Sequence, residues 1–256
     1  MSLTLYHGEP NGPSLTVLAA LFESGLDAEL APIDLANGER HSRAERNREV
    51  EMSIEGEGPV LVADGEPMAD SVFLAQYLDE VAGGSLQPTD AYARWEMEMW
   101  CRFIIERVAP AAALLGNRAH LTPQLQAMED ADFEALVSRI ASADLAARWR
   151  KERAGDYPEA QIEDSREKIR LAVQRLEGRI DGEWILGVLT IADLETYAWL
   201  AGMASIVPEA FENAPKTATW LVRMKGRDSV RKALAQSRTG NPLEAWAPGP
   251  EINRWG

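Results

Sequence analysis

Residues 56–71 read GEGPVLVADGEPMADS. Val60, Leu61 and Val62 make a short apolar run, Asp64-Gly65 is a hairpin turn pair, and residues 66–69 give a second short strand. Asp70 or Ser71 then caps a helix over 70–81, because a short side-chain acceptor ahead of an apolar-periodic segment satisfies the first-turn N–H groups. Pro59 stands directly before the first run. Proline cannot donate to a strand ladder, so it marks the beginning of a strand rather than its interior.

Toward the N-terminus, LTLYH (3–7) is β-prone and GEPNGP (8–13) is a turn cluster. Ser14 occupies a helix N-cap position, Leu15, Leu18 and Phe22 share one face, and Gly25 is the stop. Residues 27–35 read as a second strand and 39–50 as a polar, locally basic helix or loop. The order is βαβ, a connection, then ββα, a thioredoxin-like arrangement that closes near residue 82.

Beyond it the composition changes. Residues 83–90 read as a linker. Residues 91–238 are helical throughout: Ile162, Ile169, Val173, Leu176 and Ile180 form one stripe, and Thr190 and Asp193 form a capping box before an apolar helix. The tail, 239–256, is rich in Pro and Gly and reads as extended. The predicted fold class is α/β followed by all-α, with an N-terminal domain at 1–82 and a helical domain at 91–238.

The chain has 256 residues, 46% of them hydrophobic, enough for a sizeable core. Its formal net charge of −15 repels phosphate backbones and anionic membranes, which argues against nucleic-acid binding. No apolar stretch approaches the ~18 residues of a membrane span, no signal peptide is visible, and the single cysteine, Cys101, forms no internal disulfide. A cytoplasmic location is expected. Three scattered histidines (His7, His41, His120) and one cysteine give no zinc spacing, so no metal is expected.

Pro59 before its strand, the hairpin, Asp70-Ser71 and the later GVLTIADL (187–194), in that order, resemble the glutathione transferase superfamily over both domains. The first 35 residues, His41-Ser42, residues 90–100 and 148–165 look most like the bacterial glutathione-dependent β-aryl etherases of lignin degradation. The resemblance implies a cytoplasmic transferase that is a homodimer or a heterodimer with a homologue. It also implies a cis peptide before Pro59, turning the main chain of Gly58 outward to hold the cysteinyl part of glutathione. The relatives' Asn-Pro-x-Gly-x-Val-Pro is replaced here by SIEGEGP (53–59), which places Glu55 and Glu57 near an anionic ligand.

A free thiol has pKa ~8.5, so a protein that uses glutathione as co-substrate must stabilise the thiolate. A hydroxyl and a helix N-terminus are suitable means. Ser14 offers both, either as thiolate donor or as a plain cap; Asn11 is the reserve through its amide. Asp70 suits the γ-glutamyl ammonium, Ser71 the γ-glutamyl carboxylate, and His41 by family position the glycyl carboxylate. Trp95, Met99 and Phe103 recur at helical spacing and serve either as core or as the wall for an aromatic ether. Three functions follow: a glutathione-dependent β-etherase or general glutathione transferase, a catalytically silent subunit paired with an active homologue, or an interaction module.

Overall fold

The computed structural model describes residues 1–39, 58–140 and 143–243. Strands β1 (Leu3–His7), β2 (Glu29–Pro32), β3 (Val60–Ala63) and β4 (Glu66–Ala69) form one mixed sheet in the order β2-β1-β3-β4. β2 runs parallel to β1, with Leu5 opposite Leu30; β3 is antiparallel to β1, with Leu5 opposite Leu61. The β3–β4 hairpin turns on Asp64 (φ 49°) and Gly65 (φ 89°), the positive pair that a two-residue turn matched to strand twist requires. The Asp64 carboxylate also accepts from the Ser2 N–H at 2.7 Å, fastening the turn to the start of β1.

Helix α1 (Gly12–Ser24) fills the βαβ crossover and α2 (Ser71–Val81) follows β4. Leu15 and Leu18 are buried as their spacing predicts, and Gly25 ends α1 in the left-handed region (φ 67°). Yet residues Leu15 to Leu21 of α1 are buried all round. The helix packs at once on α2 and on two helices of the second half, so no face is left for solvent. Tyr6 packs in a small separate cluster with Ile33 and Val60.

The second half comprises α3 (Ala91–Phe103), α4 (Ala109–Gly116), α5 (Thr122–Ala127), α6 (Asp130–Val137), α7 (Ala143–Ala154), α8 (Glu159–Arg179), α9 (Ile191–Leu200), α10 (Met203–Ile206), α11 (Pro215–Gly226) and α12 (Asp228–Leu234). α3, α4 and α5 are joined by two wide π turns, Ile104–Val108 and Asn117–Leu121. Each precedes a proline, Pro110 or Pro123, which cannot donate to the carbonyl four residues back; the widened turn relieves the clash of its ring. Residues 83–90 are pinned rather than loose: the Asp79 carboxylate accepts from the N–H groups of Ser85 (2.7 Å) and Leu86 (2.8 Å), and Leu86 is buried.

α9 lies at the centre, and every one of its residues is buried. The expected capping box at Thr190 and Asp193 is present. Asp193 also accepts from the Ile185 N–H (3.1 Å) and the Trp220 indole (2.9 Å), so the same carboxylate fastens α11 to the core. Arg227, before α12, forms an ion pair with Glu23 of α1 across the two halves. Among the described residues, no helix is long and apolar enough to cross a membrane.

Candidate active site

The head of α1 is built on the loop that leaves β1. Asn11, not Ser14, holds the cap position, and Ser14 is the third residue of the helix, with Pro13 ahead of it. Proline is preorganised for the first helical turn, and that draws the helix start three residues toward the N-terminus. Ser14 is buried, and its Oγ accepts from the Gly8 N–H at 2.9 Å. A hydroxyl that accepts keeps its own proton to donate, so the cap reading falls and the geometry is compatible with the donor reading. Gly12 sits at φ 46° with the Trp199 ring beneath it; a Cβ there would stand 3.3 Å from the ring. Both facts select glycine.

The C-terminal segment crosses this loop. The Glu9 carboxylate accepts from the Ser237 hydroxyl (2.7 Å) and the Arg238 N–H (2.9 Å), and the Asn11 amide donates to the Pro242 carbonyl at 3.2 Å. The tail beyond Leu243, with Trp246 and Trp255, lies outside the described residues.

The second helix start is α2. Asp70 caps it, accepting from the N–H groups of Val72 (3.0 Å) and Phe73 (3.2 Å), at φ 82°. Such a φ on a residue with a side chain costs on the order of 1–3 kcal/mol and is retained only where the surroundings impose it. Crowding by the protein holds the Asp70 carboxyl above its ordinary pKa, against the pull of those two N–H groups. The Ser71 hydroxyl points inward and donates to Glu195 Oε2 at 3.1 Å, which leaves its main chain, at the head of the helix, as the ligand-facing part.

Glu195 is the residue that sequence reasoning missed. It is fully buried on α9 and bonded by Ser71, by Thr16 and by the Trp199 indole at 2.8 Å. The available signal was a lone carboxylate inside the apolar run IADLETYAWL, with Ile191, Ala192, Ala198 and Trp199 as its helical neighbours. Burial is the main cause that raises its pKa to about 7. The folded pKa lies above the unfolded one of 4.5. Stability linked to the protonated form is therefore complete below 4.5 and is lost as pH rises through about 7, a difference of roughly 3 kcal/mol. Glu195→Gln does not titrate, so the variant should gain on the wild type by about that amount between pH 4.5 and 8. Urea denaturation at both pH values measures it; parallel behaviour of the two proteins would contradict it.

The remaining predicted site residues are scattered. His41 lies outside the described residues, as do Glu55 and Glu57. Gly58 is half-buried and Pro59 buried at the head of β3, but the peptide between them is trans, not cis as the resemblance implies. The trans form is favoured by about 0.5–1 kcal/mol before proline, and Gly58 has open space where a Cβ would stand, so it imposes no preference of its own. Trp95 and Met99 are 52% and 42% exposed on a groove between α3 and α8, where Arg179 pairs with Glu96. Phe103 is partly buried beneath the Arg175 guanidinium. No N-terminal-domain residue lines this groove among the described residues. Cys101 is buried, and burial pushes its thiol pKa well up, so it stays protonated.

Residues 1–80 match the family of the glutathione S-transferase N-terminal domain. The chain is 27% identical over 257 residues to Protein LigF of Sphingobium sp. strain SYK-6, spanning 95% of this chain and 97% of that protein. The crystal structure of the β-etherase LigF superposes with a TM-score of 0.82 at 25% identity, covering 93% of this chain and all of the other. Maize glutathione transferase GST 23 is 36% identical over 86 residues, 33% of this chain and 36% of its own. Human glutathione transferase theta-2, in complex with glutathione, shares the fold with a TM-score of 0.71 at 20% identity, over 95% of this chain and 89% of its own. Residues 1–80 thus form a glutathione S-transferase N-terminal domain, and the chain as a whole has the glutathione S-transferase fold.

Proposed function

We propose that this chain is a glutathione-dependent transferase of the β-etherase type, acting on lignin-derived aromatic ketones. What carries the reading is the pairing of two helix starts, Gly12–Ser14 and Asp70–Ser71, both seated on α9. One offers a hydroxyl proton and the positive end of a helix to a thiolate; the other offers a carboxylate and a helix N-terminus to an amino acid end. Likeness to a β-etherase along nearly the whole chain supports the choice of substrate class.

In this reading Asp70 pairs with the γ-glutamyl ammonium, and the main chain of Ser71 binds the γ-glutamyl carboxylate. Gly58 and Pro59 border the cysteinyl part, and His41 takes the glycyl carboxylate. Because the Gly58–Pro59 peptide is trans, the reading leans on the two helix starts rather than on a bend at residue 59. Glutathione loses its thiol proton to solvent, and Ser14 donates to the resulting thiolate. The sulfur attacks the β-carbon next to the ketone, the C–O bond breaks, and phenolate leaves and takes up a proton. A glutathione thioether remains. The chain's contribution is positioning and thiolate stabilisation.

The test is release of a phenol from a β-aryl ether ketone, with glutathione present and absent, by protein that is retained on immobilised glutathione. Retention without phenol release, even with a range of electrophiles, would favour the silent-subunit reading; release only of other leaving groups would make it a general glutathione transferase.

The groove residues admit two roles, substrate wall or subunit face. Phe73 (68%), Tyr92 (66%), Trp95 and Met99 are all exposed, and Gln76 of α2 reaches Glu98 of α3. This apolar surface favours contact with a second copy or a homologue. Trp95→Glu should shift sedimentation toward monomer with kcat/KM per chain within about threefold. An unchanged assembly with a raised KM for the ether would return Trp95 to the substrate wall.

A further inference from the structure

Glu195 stands where three helices meet. Its Oε2 accepts from the Ser71 hydroxyl of α2 at 3.1 Å, its Oε1 from the Trp199 indole of α9 at 2.8 Å, and the Thr16 hydroxyl of α1 also bonds to it. Thr16 lies two residues beyond Ser14, and Ser71 directly follows Asp70. The Trp199 ring, held by its indole bond to Glu195, is the floor under Gly12. A single carboxylate therefore sets the relative position of the two helix starts to which the thiol and γ-glutamyl ends of glutathione are assigned.

We propose that Glu195 is a positioning residue of the glutathione site, holding the heads of α1 and α2 in register from behind. The inference rests on the reading of that site as a glutathione site.

All three donors are neutral, and an ionised carboxylate accepts all of them at once. A protonated one must itself donate. An indole N–H cannot accept, so the acid proton can go only to the Ser71 or the Thr16 hydroxyl, reversing that bond. The neighbouring carboxylate opposes these bonds. The Asp70 carboxylate at the head of α2 disfavours ionisation of Glu195, and an ammonium paired with Asp70 would relieve that repulsion. On α3 the Cys101 thiol feels both Glu195 and Asp193, and α1 contributes Thr16. Glutathione binding should thus favour ionised Glu195, and affinity should rise with pH through neutrality.

Calorimetric titration of glutathione into wild type and Glu195→Gln, from pH 5.5 to 8.5, tests this. Wild-type Kd should fall several-fold over that range. The variant should bind roughly tenfold more weakly at pH 8, with a flat profile. Equal Kd values and equal profiles overturn the inference while leaving the glutathione reading intact. No binding by wild type overturns both. If the variant does not fold, as judged by circular dichroism, Trp199→Phe replaces it: this change removes the indole bond and leaves the acid in place. A Kd at least about threefold weaker supports the proposal, and an unchanged Kd overturns it.

Discussion

Asp193→Ala is expected to lower stability by about 4 kcal/mol. The Asp193 carboxylate is fully buried and accepts from the Ile185 N–H, the Thr190 N–H (3.0 Å) and the Trp220 indole. Burial raises its pKa, and these bonds oppose the rise, so the group is only partly compensated as an ion. Removing it, with the Thr190 hydroxyl also donating to it at 3.3 Å, leaves four buried donors short of an acceptor, each costing ~1–3 kcal/mol, in a sum that is not additive. The N-cap Thr190 stays, but the reciprocal N3 half of its capping box is gone. Urea denaturation at pH 7 reads the change. A loss below about 1.5 kcal/mol would show that water or a rearranged loop replaces the carboxylate. Asp193→Asn, which keeps one acceptor oxygen, should fall between the two.

Ser14→Ala should lower kcat at saturating glutathione at least roughly tenfold, the scale of losing one good hydrogen bond to a charge. The mechanism predicts a further signature. The thiol of bound glutathione should titrate at higher pH in the variant, so the activity deficit shrinks as pH rises. The deletion also orphans the Gly8 N–H, so a modest stability loss of about 1 kcal/mol accompanies it. Spectroscopic titration of the bound thiolate separates the two effects, because a purely structural loss leaves the thiol pKa in place. An unaltered rate would remove Ser14 from the chemistry and pass the role to Asn11. The Asn11 amide already donates to Pro242, and with two N–H groups on its NH2 it would serve the sulfur beside the C-terminal segment.

The parts of this protein legible in the sequence are those whose causes lie within a few residues. Asp64-Gly65 dictates a turn through its positive φ values, Asp70 caps α2, Gly25 ends α1, and Thr190 with Asp193 starts α9. The strands at 3–7 and 66–69 fall at their predicted bounds for the same reason. The order of those local signals was enough to give the fold class, because few topologies accommodate βαβ, ββα and then helices alone.

What depended on residues far apart was not legible. Ser14 is inside α1 because Pro13 and the Trp199 floor under Gly12 move the helix start, and Trp199 is nearly 190 positions away. An amphipathic stripe says that Trp95 and Met99 share a face but not which neighbour that face receives; the packing of α3 on α8 and α9 leaves it open to solvent. Glu195 reads as one more acid on a helix until α1 and α2 close over it from the other domain. The sequence by itself thus determined where the chain turns, caps and strands lie, since those follow from short-range dihedral and hydrogen-bond preferences. The tertiary structure decided which polar groups are enclosed together, since desolvation and hydrogen-bond partners are set by elements that meet only when the chain is folded.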